Sequence, residues 1–344
     1  MGLQYQAIGW NHHKKRYDRI MGLLMGIYIL VFILGHFILH PNISPETLII
    51  RMTGTLAILM LHVILMIGPL CRLNHRFLPL LYNRRHLGVS MFLIAAIHGI
   101  FSIIQFHTLG DTNAFLSLFL SNTHYDSLTN FPFQVLGFFA LLILFLMAAS
   151  SHDFWLNHLS PKVWKTLHML VYVSYAMLIM HIMLGVVQLE KSFLMVGLLG
   201  IGMVAIIGLH VFASLKGKTE IEAGTLSEEG FVRVCAVEDI PDRRAKVLLV
   251  GRENIAVFRY GDKISAVNNV CKHQNGPLGE GKIVDSCIVC PWHGYEYRPE
   301  DGCAPPPFHE KVSTYEVKLE NGMIWVHPEP RPEGTYIEPL KYQK

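Results

Sequence analysis

The chain has 344 residues, of which 51% are hydrophobic and only 16% are charged, and its formal net charge is +3. Soluble domains carry about 25% charged residues, so this composition, with a mean hydropathy of +0.36, excludes a chain that is soluble throughout. Most of the chain is expected to lie in lipid, and we expect membrane lipids but no nucleic acid among its partners.

Six apolar runs are each long enough to cross a hydrocarbon core of roughly 30 Å, which takes about 20 helical residues. They predict helices at 20–39, 48–70, 87–107, 131–149, 164–187 and 193–215. The first run follows a basic stretch, as in a signal peptide, but it is too long and lacks a small-residue cleavage site, so we interpret it as a retained helix. The sequence thus predicts an N-terminal segment at 1–19 and a six-helix domain at 20–215.

Lysine and arginine collect at one end of these helices. They are Lys14, Lys15, Arg16, Arg19, Arg72, Arg76, Arg84, Arg85, Lys162, Lys165, Lys216 and Lys218. The opposite end has only Arg51 and Lys191, and its long segment 108–130 has neither residue type. Because basic loops stay in the cytoplasm, both termini are predicted to be cytoplasmic, and the inner membrane of a bacterium is the expected location.

After the last helix the composition changes through a polar linker at 216–229. Segments such as AKVLLV, IAVFRY and STYEVKL alternate in polarity and are separated by Gly, Asp and Asn turns. This pattern predicts a small all-β domain at 230–328. The Pro-rich tail at 329–344 is expected to be extended over the domain surface or disordered.

Four residues of the β domain form a C-x-H pair and a C-x-x-H pair separated by sixteen residues: Cys271, His273, Cys290 and His293. Two thiolates on one iron and two imidazoles on the other are the ligand set of a Rieske [2Fe-2S] cluster. Zinc also accepts two Cys and two His, so the ligand types alone leave zinc open. The surrounding PLGEG and CPWHGYEY, however, resemble Rieske ferredoxins, and the resemblance spans 231–326. It favours the iron–sulfur cluster, with the β domain as a Rieske domain.

Two departures from the Rieske proteins of cytochrome bc complexes indicate which class of Rieske protein this domain resembles. Gly276 and Trp292 stand where those proteins have a disulfide, and Tyr295 stands where they have a Ser that bonds a bridging sulfide. With fewer hydrogen bonds to the sulfurs, we expect the reduction potential of the cluster to lie in the lower part of the Rieske range of about −150 to +300 mV. A cluster domain without a disulfide also suits a reducing cytosol. The resemblance also implies a hydrogen bond from Tyr297 to the cluster. The other cysteines, Cys71, Cys235, Cys287 and Cys303, are expected to be free thiols.

Ionisable residues inside a bilayer are functional-site candidates. The third run contains His86 near the basic end and His98 about 18 Å deeper, and the fifth contains His168 and His181, about 20 Å apart. The two pairs match in depth, as the two axial ligands of a low-spin b-type haem require. The alternative is that these residues are hydrogen-bonded within the protein core.

RRHLGVSMFLIAAIH, WKTLHMLVYVSYAMLIMH and the preceding IGPLCRL resemble the ferric reductase-like transmembrane domain, over 17–215. That domain is shared by NADPH oxidases, metalloreductases and the haem subunit of methionine sulfoxide reductase systems. The resemblance implies one or two haems b with His98, His168 and His181 as ligands. It supports His86 less, because some single-haem relatives have another residue there. The remaining histidines, His36, His40, His62, His107, His124 and His210, are expected to be structural or exposed, with a metal or acceptor site at His36 and His40 as the alternative.

No G-x-G-x-x-G follows a strand, so no nicotinamide or flavin domain of the NADPH oxidase type is indicated. The predicted fold is a membrane all-α six-helix haem-binding bundle followed by a small all-β Rieske domain. The predicted function is transfer of single electrons between the cluster and the haem, with a cytoplasmic ferredoxin or flavin reductase as donor and an outer-side acceptor or quinone. Electron transfer in the reverse direction, from a quinol to a cytoplasmic acceptor, would use the same cluster and haem.

Two other functions stay open at this point. A membrane oxygenase would need a non-haem iron domain after the Rieske domain, and only about 50 residues follow His293. A haem-free anchor that holds a ferredoxin for a separate partner would place no constraint on the depths of the membrane histidines.

Overall fold

The computed structural model describes residues 12–342 apart from 82, 153, 154, 156–158, 160, 189–192, 220–226, 228, 252, 274, 275, 292, 293 and 307. The chain divides into two compact units, one with most of the helices and the other with the β domain. Most of the predicted linker at 216–229, and the candidate ligand His293, therefore lie outside the described residues.

Six helices of the described chain are long and apolar enough to cross a membrane, as the hydropathy predicted. The α-helices of the described residues, which include the short α4 and the two parts of the fifth span, are α1 (His12–Leu39), α2 (Pro45–Leu73), α3 (Arg84–His107), α4 (Ala114–Leu120), α5 (Phe133–Ser150), α6 (Pro161–Met169), α7 (Val171–Ile182) and α8 (Phe193–Thr219). A 3₁₀ helix, His75–Leu80, lies between α2 and α3. Helices α1 and α3 begin before the predicted apolar runs because Lys and Arg, although outside the hydrocarbon core, are good helix formers.

The fifth predicted span is not one regular helix. It consists of α6, a break at Leu170, α7 and a π-helical segment at Met183–Val187. Within that segment Gly185 has φ −94° and ψ −107°, and a Cβ at this position would lie 2.8 Å from the Phe133 ring. The π-helical segment begins two residues after His181, and π-helical turns are frequent at functional sites.

The β domain contains short strands in three antiparallel sheets. The first sheet has the order β1 (Val232–Ala236), β10 (Met323–Val326), β9 (Val317–Glu320). The second has the order β11 (Leu340–Lys341), β4 (Lys263–Asn268), β3 (Glu253–Tyr260), β2 (Arg244–Val250), and β8 (Thr314–Tyr315) also pairs with β4. The third has the order β5 (Lys282–Val284), β6 (Cys287–Val289), β7 (Glu296–Tyr297).

Strand β3 separates two buried cores of this domain. Ile255 and Val257 belong to one core, whereas Ala256 and Phe258 belong to the other. Successive side chains of a strand point to opposite faces, so a strand covered on both sides reads as a continuous apolar run, as IAVF does here. The second core also contains the two described cysteines of the candidate cluster site.

The C-terminal tail contributes a strand. In β11, Leu340 pairs with Ile264, and the nearby Tyr342 hydroxyl accepts a 2.7 Å hydrogen bond from Arg259 Nε. The domain end predicted at 328 leaves this strand out. A two-residue strand after a Pro-rich stretch carries no readable alternation, and its place at the sheet edge depends on the partner strand.

Candidate iron–sulfur and haem sites

The two cysteines of the candidate cluster site lie on separate loops of the second core. Cys271 is in the loop between β4 and β5, and Cys290 follows β6 directly. Both side chains are about 1% exposed. The Cys271 N–H donates to Gly276 O at 2.9 Å, and the Cys290 N–H donates to Tyr295 O at 2.7 Å. Each loop therefore turns back on itself at its cysteine.

The second loop depends on a glycine. Gly294 has φ +73°, and its N–H donates to Cys290 O at 2.9 Å. Side chains other than glycine are strained in this left-handed region, so the HG dipeptide after the second C-x-x-H pair has a geometric reason.

Tyr297 lies against the first cysteine and is fully buried. Its hydroxyl accepts a hydrogen bond from the Lys272 N–H at 3.1 Å and lies 3.4 Å from Cys271 Sγ. Burial and the neighbouring Cys271 raise the pKa of Tyr297, so the hydroxyl keeps its proton. That proton is available to Cys271 Sγ, and a hydrogen bond from Tyr297 to a cluster stays a prediction.

The structure places three of the four predicted cluster ligands around one buried region. Cys271 and Cys290 share the core, and the His273 ring stacks on Tyr295, which belongs to the same core. His293 lies outside the described residues. Two cysteine thiols and an imidazole on two loops suit a Rieske cluster, which takes two thiolates and two imidazoles.

In the helical unit, His98 of α3 and His181 of α7 face each other. Their ring centroids are 6.2 Å apart and their planes are nearly perpendicular, at 89°. Two imidazoles on opposite sides of one metal ion have centroids about 6.4 Å apart, since a metal–nitrogen bond is about 2.0 Å and the nitrogen lies about 1.2 Å from the ring centre. The pair therefore has the separation that two axial ligands of one haem iron require.

The second nitrogen of each ring is held by a backbone carbonyl. His98 Nδ1 donates to Ile50 O at 2.9 Å, and His181 Nδ1 donates to Phe133 O at 2.8 Å. Nδ1 is thereby protonated on both rings, which leaves Nε2 as the free ligand atom. A metal-binding histidine commonly donates its other N–H to such an acceptor, which fixes the tautomer and the orientation of the ring.

Two glycines make space for these rings. A Cβ on Gly54 of α2 would lie 2.8 Å from His98 Nδ1, and a Cβ on Gly137 of α5 would lie 2.8 Å from the His181 ring. Any larger residue would displace the imidazole. The sequence alone indicated neither glycine, because their effect depends on which helix faces meet.

The other predicted pair does not meet in the same way. His168 stacks on Trp164 at 3.8 Å, its Nδ1 donates to Trp164 O at 3.0 Å, and its Nε2 is 3.3 Å from Ser151 Oγ. His86 is half exposed, and its Nδ1 is 2.9 Å from Asp18 Oδ2. The contacts of the described residues include no ring contact between His86 and His168.

The remaining membrane histidines have other partners. The Tyr175 hydroxyl is 3.0 Å from Nε2 of the buried His62. His107 is also buried, between Ser117 Oγ and Gln134 Oε1, both at 3.0 Å. These contacts agree with the structural roles expected from the sequence. At the C-terminal end of α1 the rings of His36 and His40 are 5.7 Å apart, and no group of three metal-binding side chains occurs among the described residues.

Comparison with known families matches both parts of the chain. Residues 230–316 match the Rieske [2Fe-2S] domain, and residues 53–179 match the ferric reductase like transmembrane component. Ferredoxin CarAc of Metapseudomonas resinovorans is 32% identical over 28% of this chain and 92% of its own length. The chain belongs to the Rieske [2Fe-2S] family. Its Rieske domain follows a ferric reductase-like transmembrane domain, and the fusion predicted from the sequence is confirmed. The zinc alternative is thereby set aside in favour of a Rieske cluster.

Other relatives also match only part of this chain. The ferredoxin component of the alkene monooxygenase system of Xanthobacter autotrophicus is 28% identical over 30% of this chain and 85% of its own length. Cholesterol 7-desaturase of Xenopus laevis is 39% identical, but the match spans only 22% of this chain and 18% of that protein. The ferric reductase match includes His86, His98 and His168 and ends two residues before His181.

Proposed function

We propose that this protein carries single electrons between a Rieske cluster on the cytoplasmic side and haem b within the membrane, toward an outer-side acceptor or a quinone. Cys271, His273, Cys290 and His293 would hold the cluster, and His98 and His181 would hold the haem. When bound, both groups supply one-electron redox chemistry, so no acid, base or nucleophile is required of the chain. The chain's own residues hold, orient and shield the two groups.

The observation that carries this proposal is the facing pair His98 and His181. Their centroid separation of 6.2 Å, with both Nδ1 atoms already bonded to carbonyls, leaves two Nε2 atoms for one metal ion. A membrane anchor without haem gives no reason for this arrangement on two helices. The same chain carries a Rieske domain, and tethering raises the effective concentration of one redox site for the other.

The geometry favours one haem, with a second at His168 and His86 as the alternative. The carboxylate at His86 is consistent with either role, because a ligating histidine often donates its other nitrogen to a carboxylate. Haem content per polypeptide, measured as the pyridine haemochrome of purified protein, separates these cases. A ratio near one supports the His98 and His181 pair alone, a ratio near two supports both pairs, and zero haem in fully loaded protein leaves an anchored ferredoxin.

Transfer across the membrane is tested in lipid vesicles that enclose ferricyanide, with a reduced ferredoxin outside. The distribution of Lys and Arg supports a cytoplasmic Rieske domain. The external ferredoxin therefore takes the place of the cytoplasmic donor, and it can reduce only those molecules whose Rieske domain faces the outside of the vesicle. We expect the enclosed ferricyanide to bleach only when the protein is present. Vesicles whose protein contains both cluster and haem, yet whose ferricyanide stays oxidised with either a ferredoxin or a flavin reductase outside, would contradict transfer to an outer-side acceptor.

Replacement of Gly137 with alanine is expected to disturb the haem without changing a ligand. The new Cβ would lie 2.8 Å from the His181 ring, so the imidazole would have to move away from the axis that it shares with His98. We expect loss of most of the low-spin haem spectrum. Gly88→Ala is the matched control, since no described atom lies within 4 Å of a Cβ there. Equal spectra for the two variants would contradict the assigned role of His181.

A further inference from the structure

Tyr295 occupies an unusual place beside the cluster site. Its side chain is only 3% exposed, and its ring lies nearly parallel to the His273 ring, with 4.8 Å between centroids and 11° between planes. It also packs against Tyr297 at 5.3 Å and Phe308 at 4.8 Å. Tyr295 thus covers one face of a candidate cluster ligand with an aromatic plate.

The hydroxyl of Tyr295 is bonded away from the cluster. It donates to Glu310 Oε2, which also accepts from the His309 N–H at 3.2 Å. One side chain therefore contacts all three loops around the site: the β4–β5 loop through His273, its own β6–β7 loop, and the β7–β8 loop through Phe308 and Glu310.

We propose that Tyr295, anchored by Glu310, is a positioning residue that fixes the imidazole plane of His273 and keeps water from one of its faces. The proposal rests on the assignment of Cys271, His273, Cys290 and His293 as cluster ligands. Rotation about the second side-chain torsion of a histidine is broad and soft, so an imidazole needs a neighbour to fix its plane. Tyr295 is that neighbour, and its own ring is fixed by the bond to Glu310. The two tyrosines therefore have different roles: Tyr297 contacts the sulfur of Cys271, and Tyr295 orients the imidazole of His273.

Three variants of the full-length protein separate the stack from its anchor. Tyr295→Leu removes the ring, Tyr295→Phe keeps the ring without its anchor, and Glu310→Gln keeps a hydrogen-bond acceptor without its charge. For Tyr295→Leu we expect electron paramagnetic resonance lines of the reduced cluster about twofold broader than wild type, because the imidazole samples more than one orientation. We also expect a higher reduction potential, because solvent that reaches the cluster favours its more negative reduced state. Tyr295→Phe should broaden the lines less, and Glu310→Gln should keep the wild-type line width.

Tyr315 provides a matched control. It is also a buried tyrosine that donates to a carboxylate, Glu253 Oε2, at 2.7 Å, but it lies in the other core of the domain. Tyr315→Phe should leave the cluster spectrum and potential unchanged.

Unchanged line widths and potential in Tyr295→Leu would overturn the proposal while the wild-type Rieske signal stands. If Tyr295→Leu fails to load the cluster, Tyr295→Phe decides: broader lines than in Tyr315→Phe support the proposal, and equal lines overturn it. A wild-type protein that contains iron but shows no Rieske signal would overturn the ligand assignment itself, and this proposal with it.

Discussion

Replacing His181 with leucine is expected to remove haem b from the protein. The imidazole is one of two rings 6.2 Å apart that would hold the iron from both sides, and leucine has no ligand atom. We expect the haem per polypeptide to fall by one equivalent and the low-spin absorption spectrum to disappear. His98→Leu should give the same result, because either change would remove one of the two proposed haem ligands. The measurement is a pyridine haemochrome assay together with the reduced-minus-oxidised spectrum.

His107→Gln is the control for this prediction. His107 is a buried histidine at the C-terminal end of α3, but its two ring nitrogens face Ser117 and Gln134. The His107→Gln variant should therefore keep its haem. Full haem content with a low-spin spectrum in the His181→Leu variant would show that His181 is not an axial ligand.

Replacing Cys290 with serine is expected to abolish the Rieske cluster while the haem remains. Cys290 is buried on the second cluster loop, and the iron of the thiolate side would lose one of its two sulfur ligands. In the wild-type protein, reduction of the haem by a soluble ferredoxin should be limited by an intramolecular step, whose rate does not depend on protein concentration. In Cys290→Ser that phase should be lost. Stopped-flow absorption at the haem band, with electron paramagnetic resonance of the cluster, measures both effects.

Cys303→Ser is the matched control, because Cys303 is a free cysteine of the same domain that is not a predicted ligand. It should retain the cluster and the fast phase. If the haem of Cys290→Ser were reduced as fast as that of the wild-type protein, the electrons would enter the membrane domain without the cluster, and the proposed path would be wrong.

The membrane spans and the Rieske motif were readable from the sequence because each depends on local features. A hydrocarbon core demands about 20 consecutive apolar residues, so all six spans appear in the hydropathy of the chain. The predicted cluster ligands follow one another at fixed spacings in the sequence, as a C-x-H pair and a C-x-x-H pair. The break at Leu170 and the π-helical turn were not predicted, because the side chains on both sides of them remain apolar.

The candidate haem site was predictable only in part. The matched depths of His98 and His181 follow from the helical rise, and the structure brings these two rings together. The same argument matched His86 with His168, and there it does not describe the contacts: His86 is held by Asp18 and His168 by Trp164. Depth is a coordinate along one helix, whereas a ring contact also requires that both helices turn the correct face toward each other.

The sequence by itself determined that six segments are apolar and long enough to cross a membrane and that a Rieske domain follows them, because hydropathy and ligand spacing are properties of consecutive residues. Only the tertiary structure decided that Gly54 and Gly137 admit the rings of His98 and His181, and that Tyr295 stacks on His273. These contacts join residues from different helices or loops. Close packing between segments that are distant in the chain determines which residues are in contact, so these contacts cannot be predicted from a local sequence pattern.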